Sequence, residues 1–145
     1  FYRLNSIFGD ASSREIIQTV KCRRALLNYF KEHNYIGSIS QSELGSVTPQ
    51  VVPNSDNQWQ VFTRSKGVTP NSVWFGRAIN SDSKFTDFAV IITNIKTGAH
   101  RFLLFCFDET EKPTLVYEEN TSAKYIENVY CYDGSDVEVD YYYAR

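Results

Sequence analysis

The sequence predicts a mostly β fold, a two-sheet β-sandwich with one N-terminal amphipathic helix. Strand-length apolar and aromatic runs follow one another from residue 58 onward, set off by turn residues at intervals of about 8–12 residues. Aromatic residues make up 15% of the chain, with 10 Tyr and 10 Phe, and such side chains suit pleated, half-buried surfaces. Helical periodicity is confined to one early segment. At 145 residues the chain suits a single domain, because a second core has too little left to bury.

The helix is expected from Ser13 to about His33. Ser12-Ser13-Arg14-Glu15 has the form of a capping box, in which Glu15 reaches back to the Ser12 amide. Ile16, Val20, Leu27 and Phe30 repeat at helical spacing, with Ile17 and Leu26 at the edges, while Lys21, Arg23, Arg24 and Lys31 project into solvent. Cys22 falls on the flank of this stripe, and Gly37 is the expected stop. Residues 38–57 are polar and carry Pro49 and Pro53, so they read as loop, with room for a short edge strand at 47–52.

Strands are then expected at 58–63 and 72–79, separated by a turn at Ser65-Lys66-Gly67. Residues 85–95 form a near-continuous apolar run centred on Val90-Ile91-Ile92, the pattern of a strand buried on both faces. A turn at residues 94–98 returns the chain into 100–107 as the hairpin partner. A charged loop at 108–113 precedes strands at 114–118, 125–132 and 136–143, separated by 119–124 and by Asp133-Gly134-Ser135.

Catalytic motifs are scarce. His33 ends the helix and His100 follows a Gly-containing turn, positions where a polar side chain faces water. Cys106 lies in an apolar strand, where cysteine behaves as a small hydrophobe. Phosphate-binding, zinc-protease and nucleophile-elbow motifs are absent from the sequence. The three cysteines, Cys22, Cys106 and Cys131, match no metal spacing and allow one disulfide or none. The expectation is therefore a non-enzymatic protein with no cofactor or metal. A hydrolase built on a Cys–His pair is the alternative from another class. No apolar run reaches the roughly 20 residues of a membrane span. The chain begins at Phe1 and contains no Met, so a missing leader carries no information.

Charge is segregated beneath a net formal charge of −2. Residues 1–107 carry 12 Lys and Arg against 7 Asp and Glu, a balance of +5. Residues 108–145 carry 3 against 10, a balance of −7. The acidic, Tyr-rich end argues against nucleic acid and for a basic partner. In Asp136-Val137-Glu138-Val139-Asp140-Tyr141 the period of two puts three carboxylates on one face and the apolar residues on the other. Asp108, Glu109, Glu118 and Glu127 precede them closely, and a meander is expected to gather these residues on one binding surface. The other reading of such a row is edge protection in a purely structural or scaffolding β-domain. Asn120-Thr121-Ser122 is an N-glycosylation sequon, which marks Asn120 as a candidate glycan site.

Several stretches together resemble one family. They are residues 12–17 (Ser-Ser-Arg-Glu-Ile-Ile), 22–30 (Cys-Arg-Arg-Ala-Leu-Leu-Asn-Tyr-Phe) and 74–79 (Trp-Phe-Gly-Arg-Ala-Ile). To these are added 88–94 (Phe-Ala-Val-Ile-Ile-Thr-Asn) and 130–134 (Tyr-Cys-Tyr-Asp-Gly). The pattern resembles the SECRET (smallpox virus-encoded chemokine receptor) domain. That domain is the C-terminal module of secreted poxvirus homologues of the tumour necrosis factor receptor, and it also occurs alone. The resemblance implies a β-sandwich, secretion, and capture of host chemokines through acidic residues on one sheet face, blocking chemokine-driven cell migration. Chemokines use basic residues for glycosaminoglycans as well, so heparin-like chains are expected to compete.

Overall fold

The computed structural model describes residues 13–40, 56–62, 73–76, 87–107, 113–123, 125–132 and 136–142. Its elements in chain order are α1 (Ser13–Glu32), β1 (Ile36–Ser40), β2 (Gln58–Phe62), β3 (Val73–Gly76), β4 (Asp87–Asn94), β5 (His100–Cys106), β6 (Thr114–Thr121), β7 (Tyr125–Tyr132) and β8 (Asp136–Tyr142). The fold is mostly β, with two sheets and one helix. The larger sheet has six strands in the order β1-β2-β4-β5-β6, with β3 also paired to β4, and the smaller sheet is β7-β8.

The β4–β5 hairpin is the centre of the molecule. Phe88, Ala89, Val90, Ile91 and Ile92 of β4 are buried, and so are Phe102, Leu103, Leu104 and Phe105 of β5. Their alternation feeds two cores. Phe88, Val90, Ile92, Leu103 and Phe105 face α1 with Cys22, Ala25, Leu26, Tyr29 and Phe30. Ala89, Ile91, Phe102 and Leu104 face β7 and β8 with Ile126, Val129, Val137, Val139 and Tyr141. Helix, large sheet and small sheet thus form three layers. Each fully buried aliphatic or aromatic side chain contributes about 1.5–3 kcal/mol, so the doubly covered hairpin is the principal source of stability.

Asn94 builds the turn between β4 and β5. Its Oδ1 accepts from the amides of Lys96 at 3.0 Å and Thr97 at 2.9 Å. Its Nδ2 donates to the Asp56 carbonyl at 2.6 Å. Gly98 supplies the left-handed residue, φ 75°, and its amide donates back to the Asn94 carbonyl at 2.9 Å. The expected turn at 94–98 is therefore present, and the same asparagine ties it to the start of β2. Strands β2 and β3 lie end to end along one side of β4: β2 pairs with residues 92–94 and β3 with residues 87–90.

Several expectations are corrected. The buried stripe of α1 runs through Cys22, Ala25, Leu26, Tyr29 and Phe30, the i, i+3, i+4, i+7, i+8 pattern. Leu27 is only half-buried and Val20 is exposed. Cys22 is therefore a core residue and not a flank residue. Gly37 does not stop the helix. Asn34 does, at φ 57°, with the Asn34 amide donating to the Lys31 carbonyl at 3.1 Å and the Tyr35 amide to the Phe30 carbonyl at 2.7 Å, a Schellman cap. Gly37 instead lies in β1, which pairs parallel with β2, so residues 38–40 are strand and not loop. Strand β6 extends through Thr121, which places Glu119, Asn120 and Thr121 in the sheet rather than in a separator. The capping-box residue Ser12, the edge strand at 47–52 and the turn at 65–67 lie outside the described residues.

Candidate protein-binding face

The small sheet carries the acidic row. β7 and β8 pair antiparallel, with Tyr130 opposite Glu138 and Asn128 opposite Asp140. Val137, Val139 and Tyr141 pack inward on the second core, so the intervening Glu138 and Asp140 belong to the outer face, where Glu138 is exposed and Asp140 half-buried. The two carboxylates are one strand period apart, about 7 Å. Asn128 Nδ2 donates to the Tyr130 hydroxyl at 3.0 Å, and Tyr130 is among the exposed large hydrophobic residues. Glu127 is exposed and sits where the register shifts between Ile126 and Asn128, a bulge. Among the described residues the only ion pair is Lys96–Asp56 at 2.7 Å. The carboxylates of Glu127, Glu138 and Asp140 have no cation beside them within that set.

The other acidic candidates distribute differently. Of Asp136 the structure describes the backbone, which pairs with Tyr132 in β8. Asp108 and Glu109 lie outside the described residues. Glu118 does not join the small sheet, because it pairs opposite Leu103, which faces α1. There its Oε2 accepts from the Tyr29 hydroxyl at 3.0 Å. Its neighbour Glu119 faces the other way and accepts from Tyr117 at 2.8 Å and from Tyr141, joining the edge of the large sheet to β8. Donating to Glu119, with burial adding to it, raises the Tyr117 hydroxyl. Burial first, and then Glu119, pushes Tyr141 up further.

A second cluster, which sequence reasoning missed, surrounds Arg101. Its guanidinium carbon lies 4.7 Å from the Trp59 ring centroid. Nη1 donates to the hydroxyls of Tyr29 and Tyr35, each at 3.0 Å, and Nε donates to Asn120 Oδ1 at 3.2 Å. Tyr35 and Trp59 lie 5.2 Å apart, ring to ring. Burial pushes the Tyr29 hydroxyl up to about 12, with Arg101 opposing the rise and Glu118 adding to it. These residues come from α1, the residue before β1, β2, β5 and β6, and only register and packing unite them. Asn120 itself is exposed.

The cysteines and histidines singled out in the sequence differ in their surroundings. Cys22 is 0% exposed, and burial pushes its thiol up against an opposing backbone hydrogen bond. Cys106 is half-buried at the end of β5. His33 Nδ1 lies 2.9 Å from the Tyr29 carbonyl and its ring lies against Tyr29 at 4.0 Å. His100 is half-buried rather than solvated, with Nδ1 2.7 Å from Thr93 Oγ1. Among the described residues no group of three His, Cys, Asp or Glu side chains converges as a metal site. No described helix is long and apolar enough to cross a membrane.

No family model, curated protein or solved structure matches this chain.

Proposed function

We propose that this chain is a secreted, non-enzymatic decoy domain that captures basic chemokines on the outer face of β7–β8. The observation that carries this reading is the pair of carboxylates Glu138 and Asp140 on one sheet face, without a counter-cation among the described residues. Asp136 precedes them in the same alternation and Glu127 is exposed on the paired strand. Tyr130 adds an exposed aromatic surface between the charges, the kind of residue that anchors protein interfaces. A face built this way attracts a Lys- and Arg-rich partner, raising association rate and selectivity more than affinity. The resemblance of residues 12–17, 22–30, 74–79, 88–94 and 130–134 to the SECRET domain supplies the identity of that partner. The burial of Cys22 supports binding over Cys–His hydrolysis, since a desolvated thiol is a poor nucleophile.

The test is surface plasmon resonance against a chemokine panel at two salt concentrations, with Glu138→Lys/Asp140→Lys alongside. Binding to some chemokines that weakens with salt, is displaced by heparin and is lost in the variant is the expected result. Binding that survives the double reversal moves the site to another surface. Binding to no chemokine reduces the acidic row to solvated protection of a structural β-domain. Asn120 is proposed as an N-glycan site, and its mass shift in protein from a secretory host checks it.

A further inference from the structure

We infer that the outer edge of β6 takes a second polypeptide in extended conformation, one that sets two adjacent basic residues against Glu118 and Glu119. This surface belongs to the large sheet and stands independently of the chemokine reading. β6 ends the strand path of that sheet, and among the described residues no backbone group pairs with its outer side. The register shift at Leu104/Phe105 leaves Val116 bulged and 41% exposed. Beyond it, residues 117–121 run in unbroken register from Leu104 to His100. An open edge of this length is a template for strand addition.

The charges on that edge define what fits. Glu118 and Glu119 point to opposite faces of the strand, and neither has a cation among the described residues. Both are fixed by tyrosine hydroxyls, Glu118 by Tyr29 and Glu119 by Tyr117 and Tyr141. Carboxylates used only to keep an edge soluble need no such anchoring; these are held as oriented acceptors, so little ordering remains on binding. A second copy of β6 is the wrong occupant, because antiparallel self-pairing sets glutamates of the two strands beside one another. A strand with consecutive Lys or Arg residues answers one carboxylate on each face. Beside the same edge, a cavity of about 550 Å³ between α1 and β6 has Arg24, Ala25, Glu32, Phe105, Pro113 and Leu115 in its lining. It receives one aliphatic side chain of the added strand on the Glu118 face.

The probe is a short synthetic peptide of alternating Thr and Val, with a Lys-Arg pair and one Leu three positions away, titrated calorimetrically into the full chain carrying no glycan at Asn120. Expected is binding that becomes at least roughly tenfold weaker in Glu118→Lys, persists in Glu138→Lys/Asp140→Lys, and disappears when alternate peptide backbone nitrogens are methylated. The methylated peptide tests edge pairing on the unaltered protein, so it does not depend on how the variant folds. Equal binding of the methylated peptide, equal loss in Glu138→Lys/Asp140→Lys, or no binding at about millimolar peptide overturns the inference.

Discussion

The ring of Phe30 occupies the space that a side chain on residue 37 needs: a Cβ built on Gly37 falls within the ring. Phe30 is 2% exposed, at the last turn of α1. The glycine therefore lets β1 pass directly under the helix end, and the Asn34 cap aims the chain there. Gly37→Ala forces either the ring or the strand to move, an overpacking that costs about 1–3 kcal/mol. Urea unfolding monitored by circular dichroism is expected to show a lower midpoint with an unchanged slope.

Arg101 binds α1, β2 and β6 together through one guanidinium. Lysine keeps the charge but cannot lie over the Trp59 ring while donating to two tyrosines and an asparagine. Arg101→Lys is expected to destabilise by about 1–2 kcal/mol, and Arg101→Ala by more, since it removes every donor that the guanidinium offers to Tyr29, Tyr35 and Asn120. Chemical denaturation of both variants beside the parent checks the order.

Tyr29 links the same cluster to alkaline pH. Its hydroxyl is raised from 10.0 to about 12 in the folded state. Above pH 10 the unfolded chain loses that proton while the folded chain keeps it. The stabilising contribution is thus complete below pH 10 and disappears as pH rises through about 12. Tyr117 and Tyr141 shift in the same direction. Tyrosinate absorbance is expected to show late-ionising phenols, one fewer in Tyr29→Phe, and stability falling over that window.

Cys22 is sealed between α1 and the large sheet. It is expected to resist alkylation in the native protein and to react fully in denaturant, whereas Cys106, half-buried, reacts before it. Mass spectrometry of timed iodoacetamide labelling resolves the two sites, and rapid native labelling of Cys22 contradicts its placement.

Much of the fold is legible because its centre is chemically unambiguous. Residues 88–92 offer nothing but apolar side chains, and only a strand covered on both faces accommodates that. β1 is not legible: Ile36-Gly-Ser-Ile-Ser is short and polar, and its parallel partner β2 is distant in the chain. The helix face is misjudged by counting only its aliphatic residues, because the stripe that packs includes Cys22, Ala25 and the body of Tyr29. In the candidate site, alternation alone identifies Glu138 and Asp140 as one row. Their company depends on register, which sends Glu118 to the α1 side of the large sheet and sets Asn128 and Tyr130 beside the row instead. Glu119 reads as loop because it is charged, yet Tyr141, two strands later in the chain, meets it with a hydroxyl.

The position of the β4–β5 hairpin also sets an order of assembly. Its two strands are joined by one tight turn, so little chain entropy opposes their meeting, whereas β1 must find β2 across a long intervening segment. The hairpin is therefore the surface on which the other layers condense, and its central amides are expected to exchange with solvent last. A chain interrupted after β6 has half of that surface uncovered, with Ile91, Phe102 and Leu104 waiting for β7 and β8. The acidic C-terminal strand is then also the chain's last guard against aggregation.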